Sequence, residues 1–174
     1  TTWQAYNTWG GKSLYRWGST GRERAAKVSF NRPYAVNAQN PAAGYGVGAG
    51  EFLTNLQPHP DAYGASNAGW DINLVRWIER EGQDVAYCTN LDTHAHAPTR
   101  ARCKALLSSG HDEYWSWAMR EHVEQARDAG VHLAFLGANA AYWQIRLEPS
   151  TASHTANRVM VCYKEAARDP LGDP

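Results

Sequence analysis

The clearest alternation of apolar and polar positions lies between residues 70 and 136. Apolar residues at helical spacing predict an amphipathic helix from Trp70 to Gly82, where the glycine suits a left-handed helix end. A second helical pattern runs from Glu113 to Ala129 and is closed by Gly130. Short continuous apolar runs predict three buried strands, at residues 84–88, 104–108 and 131–136.

The predicted order of elements is therefore α-β-β-α-β, with the helix between the first two strands reduced to residues 98–102. Apolar strands that alternate with helices indicate an α/β fold in which a parallel sheet is flanked by helices on both faces. Right-handed crossovers place the loops that bind ligands at the carboxyl ends of such strands. Residues just after each strand are thus the first candidates for a site.

The remaining segments give weaker signals. Residues 26–29 predict a strand and residues 52–56 a helical turn, whereas residues 37–50 form a glycine-rich loop. The tail at residues 166–174 is rich in proline, glycine and aspartate, and we expect it to be frayed. The length suits a single α/β domain over residues 1–174.

The amino-acid composition limits the kinds of molecule that the protein is expected to bind. Lysine plus arginine equals aspartate plus glutamate, at 17 each, so no net charge attracts nucleic acid or an anionic membrane. No apolar stretch approaches the roughly 20 residues that cross a bilayer. The odd number of cysteines, three without a CxxC pair, predicts reduced core thiols and a cytoplasmic location. We expect a small, uncharged ligand.

A polar segment, Ser109–Trp115, directly follows the strand at 104–108. Asp112 and Glu113 are explained by helix capping and by the helix dipole, but neither role requires the adjacent His111. Position at a strand end favours a functional site, since this is where α/β sheets bind their ligands. Both interpretations remain open.

Asn139 follows the next strand, where a nucleophile elbow would present serine or cysteine. An asparagine amide is no nucleophile, but it donates hydrogen bonds to a developing oxyanion. The alternative is an Asx turn that begins the next segment.

Other short motifs are less specific. His94 and His96 are spaced to share one face of an extended segment, as in some zinc sites, but no second ligand pair follows and a surface loop is the simpler interpretation. Tyr6 and Tyr34 lie in short segments with glycine or proline, where a tyrosine usually serves packing. No GxGxxG, Walker A or HExxH sequence is present.

Three segments taken together, at residues 3–15, 110–115 and 135–139, resemble the C-terminal domain of the N,N-dimethylformamidase large (beta) subunit. The similarity extends from Thr2 to about Tyr163. It implies a class I glutamine amidotransferase-like domain of the flavodoxin-like three-layer type that lacks the amidotransferase cysteine. The chain resembles a fragment of a larger domain.

The resemblance also implies a site. In that family a mononuclear ferric iron is held by two tyrosines and a glutamate and serves hydrolysis of a small formamide C–N bond. By motif, the metal ligands look like Tyr6, Tyr34 and Glu113, with Tyr15 as a competitor for Tyr6, and His111 and Asn139 resemble polar residues lining the site. Two phenolates and one carboxylate are hard oxygen donors, which suit a ferric ion.

The same resemblance suggests a small partner subunit and a homo-oligomer, with a small amide as substrate. Two alternatives remain at this point. One is a non-catalytic assembly domain that binds no metal, and the other is a carbohydrate- or small-ligand-binding module with a tryptophan-rich cleft.

Overall fold

A computed structural model describes residues 25–31, 70–99 and 101–172 of the chain. These residues form a mixed α/β architecture. In chain order the elements are β1 (Lys27–Ser29), α1 (Trp70–Arg80), α2 (Asn90–Ala95), β2 (Ala105–His111), β3 (Tyr114–Ser116), α3 (Trp117–Asp128), β4 (His132–Ala138), β5 (Trp143–Glu148), β6 (Val159–Val161) and a 3₁₀ helix (Ala166–Arg168).

The parallel pairing predicted for the second and third strands is confirmed. β2 and β4 pair in parallel along their whole length, from Ala105 opposite His132 to His111 opposite Ala138. Helix α3 lies between them in the chain, so this part of the fold is the strand–helix–strand unit that the apolar pattern predicts. Both strands extend beyond their predicted carboxyl ends, to His111 in β2 and to Ala138 in β4. The polar residues Ser109 and His111 therefore belong to the paired part of β2.

A second parallel pair, β3 with β5, continues the first after an interruption. Partners in β2 and β4 are 27 residues apart, whereas Tyr114 and its partner Trp143 are 29 apart. The β4–β5 side therefore contains two extra residues, which are accommodated between Asn139 and Tyr142. Asn139 and Ala141 in this stretch have left-handed backbones, with φ of 55° and 54°. We call this interruption the two-residue bulge.

β5 also belongs to a mixed sheet of order β1-β6-β5-β3, in which β6 is antiparallel to both of its neighbours. The strand predicted at residues 26–29 is confirmed as β1. The sequence pattern predicted neither β5 nor β6. In the part of the chain that the structure describes, the parallel strands form pairs, and the broad parallel sheet covered on both faces remains a prediction.

β3 connects two hydrophobic clusters, because neighbouring side chains of a strand point to opposite faces. Tyr114, 1% exposed, packs on one side, and Trp115 packs on the other. The first cluster contains Val28, Tyr114, Ile145, Met160 and Cys162, and the second contains Trp115, Met119 and Val123 together with Leu106 and Leu133.

The strand predicted at residues 84–88 is wrong. The segment forms no strand pairing among the described residues, and most of it is exposed. Instead Thr89 begins helix α2 with a capping box: its side chain accepts a hydrogen bond from the backbone N–H of Asp92, whose carboxylate accepts from the N–H of Thr89. The short helix expected at residues 98–102, before strand β2, is therefore found earlier in the chain, at Asn90–Ala95.

The start of the second predicted helix is also wrong. Glu113 precedes strand β3, and helix α3 begins only at Trp117, with Ser116 as its N-cap accepting from the N–H of Met119 at 3.2 Å. Asp112 and Glu113 thus do not cap this helix. The helix ends are as predicted, since Gly82 and Gly130 have left-handed φ of 68° and 89°.

Fraying of the tail stays a prediction, and the structure gives residues 166–169 defined contacts. The tail forms a 3₁₀ helix, after which Asp169 accepts two hydrogen bonds from the guanidinium of Arg146 on β5. The prediction of three core cysteines is wrong in part, because Cys162 is buried but Cys88 is exposed. Apolar neighbours in sequence do not guarantee burial.

Some predictions lie outside the described residues, namely the loop at 37–50 and the helical turn at 52–56. The single-domain boundary at 1–174 also stays a prediction. Among the described residues, we find no helix whose length and apolar character would allow it to span a bilayer.

Candidate functional site

Glu113 lies where the first parallel pair gives way to the second, and Trp143 holds it in two ways. The backbone carbonyl of Glu113 accepts a hydrogen bond from the backbone N–H of Trp143 at 2.8 Å. The carboxylate oxygen Oε1 of Glu113 accepts another from the indole Nε1 of Trp143 at 3.0 Å. The carboxylate is therefore oriented by a residue from the neighbouring strand.

An ammonium group lies beside this pair. Lys164 donates from Nζ to the hydroxyl of buried Tyr114 at 2.9 Å. Its Nζ also lies 4.8 Å from the ring centroid of Trp143 and 5.1 Å from that of Tyr114, within the range of a cation–π interaction. We call Glu113, Tyr114, Trp143 and Lys164 the carboxylate cluster.

Cys162 lies near the same cluster but is unsuited to nucleophilic chemistry. Burial raises the pKa of its thiol to about 11, and the negative charge of Glu113 raises it too, while Lys164 acts in the opposite direction. Since the thiolate is the nucleophilic form, this cysteine stays protonated and inert at neutral pH. It serves instead as a core residue.

Asp112 is adjacent to Glu113 in sequence but has different partners. One carboxylate oxygen accepts from Ser108 Oγ at 2.7 Å and the other from Asn90 Nδ2 at 2.8 Å. These bonds connect the end of β2 to the start of helix α2. Asp112 therefore has a structural role, whereas Glu113 carries the carboxylate of the cluster.

His111 and Asn139 meet at the backbone level, as predicted from the strand ends. His111 is the last residue of β2 and is paired with Ala138, the residue before Asn139. The side chain of His111 lies outside the described part of the structure. Asn139 is exposed and begins a backbone turn in which its main-chain carbonyl accepts from the N–H of Tyr142 at 3.2 Å, while the Asx turn, which its side chain would form, stays a prediction.

Two glycines allow the strands to meet beside these residues. Gly110 has φ of 70° and faces Gly137 across the parallel pair. A β-carbon at position 137 would overlap the carbonyl oxygen of Gly110 and come within 2.7 Å of its carbonyl carbon. Only glycine fits there without a backbone shift.

The two histidines considered for zinc are placed differently from the prediction. His94 lies inside helix α2, with Nδ1 2.7 Å from Ser116 Oγ, and His96 is the C-cap of that helix. Neither an extended segment nor a surface loop is found at His94. Burial, followed by the charge of His122, lowers the pKa of His94.

Of the iron ligands that the resemblance implies, only Glu113 lies among the described residues. Tyr6, Tyr34 and the competitor Tyr15 lie outside the described residues, so Glu113 is the one ligand whose surroundings are defined. In ranges 25–31, 70–99 and 101–172, no three His, Cys, Asp or Glu side chains are grouped closely enough to hold a metal ion.

Sequence reasoning missed Trp143 and Lys164. Trp143 follows the turn at Asn139, and Lys164 follows an apolar run that ends at Cys162. Recognising that run as a strand antiparallel to β5 would have placed Lys164 beside the start of β5, where Trp143 lies. The pairing of Trp143 with Glu113 depends on the two-residue bulge, which has no signal in the apolar pattern.

These features define a mixed α/β domain in which Glu113 and the backbones of His111 and Asn139 lie where the parallel strands β2 and β4 end. The chain belongs to the family of N,N-dimethylformamidase beta subunit-like C-terminal domains, whose model matches residues 1–174. The resemblance predicted from the three sequence segments is thereby confirmed.

Two relatives carry the name N,N-dimethylformamidase beta subunit. The protein from Alcaligenes sp. is 28% identical over 103 residues, and that from Paracoccus aminophilus is 27% identical over 103 residues. Each match covers 56% of this chain but 13% of the relative. The chain thus spans a small part of these relatives, whose names describe them as one subunit of an enzyme.

Proposed function

We propose that the protein carrying this chain is an amide hydrolase of the N,N-dimethylformamidase type, which cleaves the C–N bond of a small formamide or related amide. Family membership supports this reaction class. The structural observation that carries the proposal is the oriented carboxylate of Glu113, which lies at the junction of two parallel strand pairs beside the positions of His111 and Asn139.

Within this proposal, a mononuclear ferric iron is held by Tyr6, Tyr34 and Glu113. The donor set fits, because two phenolates and a carboxylate supply hard oxygen ligands and three negative charges. Glu113 is the acid that the resemblance assigns to the metal, whereas the carboxylate of Asp112 connects β2 to α2 through Ser108 and Asn90. When bound, the ion would polarise the amide carbonyl and make water easier to deprotonate.

The chain's own residues complete the proposed mechanism. His111 accepts a proton from the attacking water and then protonates the leaving amine. The side-chain amide of Asn139 donates a hydrogen bond to the oxygen of the tetrahedral intermediate. Water attacks the carbonyl carbon directly, so no covalent bond to the protein forms, in keeping with the inert thiol of Cys162.

We further propose that the β2–α3–β4 unit belongs to a glutamine amidotransferase-like parallel sheet. The parallel register of β2 and β4 supports this, since such sheets are built from strand–helix–strand units. We also propose that the protein binds a small partner subunit, forms a homo-oligomer and is located in the cytoplasm. The beta-subunit names of the relatives support the partner subunit.

The test combines total metal analysis, a visible spectrum and formamide hydrolysis by the purified protein. We expect near-stoichiometric iron, a visible tyrosinate-to-iron band and turnover, all lost in Glu113→Ala and in Tyr34→Phe. Glu121→Ala removes an exposed carboxylate on α3 and should change none of the three. A colourless, inactive protein that binds no added iron would contradict the proposal and favour a non-catalytic assembly domain.

A further inference from the structure

We propose that Trp143 is a positioning residue for the metal-binding carboxylate of Glu113, and that Lys164 strengthens its hold. This inference rests on the proposed function, because it assigns a role to the contact between Trp143 and a proposed iron ligand. It concerns residues that neither the family description nor the names of the relatives assign.

Trp143 and Glu113 are connected by two hydrogen bonds. The backbone bond at 2.8 Å fixes where Glu113 stands relative to β5, and the indole bond at 3.0 Å fixes the direction of its carboxylate. A glutamate side chain has three rotatable bonds, so one anchored oxygen removes much of its freedom. Metal ligands held by such partners bind with less loss of entropy.

A cation lies beside the indole of Trp143. The ammonium of Lys164 lies 4.8 Å from the ring centroid of Trp143. A positive charge near the ring draws electron density from it, which makes the indole N–H a stronger donor to the carboxylate. Lys164 is itself oriented by its bond to the hydroxyl of Tyr114.

Trp143 is positioned by a paired strand and not by a loop. It is the first residue of β5, paired in register with Tyr114 of β3. Its ring packs against the buried cluster that contains Tyr114 and Cys162. Sites built on strands are more precise than sites on loops, so this contact suits a positioning role.

The experiment compares ferric iron binding by the purified wild-type protein, Trp143→Phe and Trp117→Phe. Phenylalanine keeps an aromatic ring for Lys164 but removes the N–H donor. Trp117 is a matched control, because it is 57% exposed at the start of α3. Loss of an outer partner of a metal ligand typically weakens binding by about 10- to 100-fold.

We therefore expect Trp143→Phe to weaken iron binding by about tenfold or more and to shift the visible band, while Trp117→Phe leaves both unchanged. Equal affinity and an unshifted band in Trp143→Phe would overturn the inference and leave the proposed function standing. A wild-type protein without iron affinity would overturn the proposed function, and the positioning role with it. The two failures are thus distinguishable.

A second measurement is needed if Trp143→Phe fails to fold. Lys164→Gln keeps the indole while it removes the ammonium charge and its bond to the Tyr114 hydroxyl, and we expect it to weaken iron binding by a smaller factor, about threefold. In ¹H–¹⁵N spectra of the metal-free protein, the indole resonance of Trp143 should move in Glu113→Ala, which removes the acceptor of its hydrogen bond. A resonance that stays in place would show that the hydrogen bond is absent and overturn the inference.

Discussion

At the scale of single residues, adjacent side chains of the same type have separate tasks. Asp112 and Glu113 are both acidic and both follow β2, yet Asp112 accepts from Ser108 and Asn90 while Glu113 accepts from Trp143. The sequence pattern predicted that the segment Ser109–Trp115 is a candidate functional segment, but it did not distinguish the role of Asp112 from that of Glu113. The partners come from three other elements, and only the folded chain brings them together.

Gly137 gives a prediction at this scale. We expect Gly137→Ala to reduce the free energy of unfolding by about 3 kcal/mol, because the new β-carbon would overlap the Gly110 carbonyl and force the strands apart. Gly82→Ala is the control, since it has a left-handed φ of 68° but open space around it. Its cost should be about 1 kcal/mol. Urea denaturation compares the two, and equal costs would contradict the close strand approach.

At the scale of elements, helices α2 and α3 are linked through the imidazole of His94. Its Nδ1 lies 2.7 Å from the hydroxyl of Ser116, the N-cap of α3, and His122 of α3 contacts the carbonyl of Thr93 through Nδ1 at 2.8 Å. Burial and the charge of His122 lower the pKa of His94. The neutral imidazole is therefore the form that the fold prefers.

This linkage predicts a dependence of stability on pH. Because the folded-state pKa of His94 lies below its ordinary value of 6.5, its contribution is complete above pH 6.5 and is lost as the pH falls through the folded pKa. Unfolding measured at about pH 7.5 and about pH 5.5 should show a smaller loss of stability in His94→Gln than in wild type. His132→Gln, at an exposed position on β4, should retain the wild-type loss. Identical losses in His94→Gln and wild type would contradict the prediction.

How well elements could be predicted depends on whether their signals are local. Helix α1, the ends of α1 and α3, and the pair β2–β4 follow from apolar spacing and from Gly82 and Gly130. The predicted strand at 84–88 failed because its apolar residues find no sheet partner among the described residues. The start of α3 was misplaced because Tyr114 and Trp115 fit a helical pattern as well as a two-faced strand. Strand pairing is a long-range property, and one sequence does not display it.

At the scale of the whole molecule, the mixed sheet joins distant parts of the chain. β1 pairs with β6, and β6 pairs with β5. Arg146 of β5 in turn holds Asp169, which raises the pKa of the arginine and lowers that of the aspartate. The segment after β6 is thereby fixed to the sheet that carries Trp143. The predicted tail was judged from composition alone, which does not show an ion pair formed across 23 residues.

The ion pair between Arg146 and Asp169 predicts a local effect on the tail. In Asp169→Asn, we expect faster hydrogen exchange and faster proteolysis within residues 165–172, with little change in the buried cluster around Met160. Glu165→Gln weakens the exposed pair with Arg168 and should have a smaller effect. Unchanged exchange at residues 165–172 in Asp169→Asn would show that other contacts hold the tail.

The number of residues in the two-residue bulge determines which face of the sheet each side chain of β5 occupies. Side chains alternate between the two faces of a strand, so removing one residue between Asn139 and Tyr142 would turn every side chain of β5 to the opposite face. Trp143 would then point away from Glu113 while the hydrophobic residues of β5 left their core. Removing two residues restores the alternation and leaves a straight ladder. Length changes by even numbers are thus the ones that this junction can tolerate, and an odd change would separate the indole from the carboxylate without altering either residue.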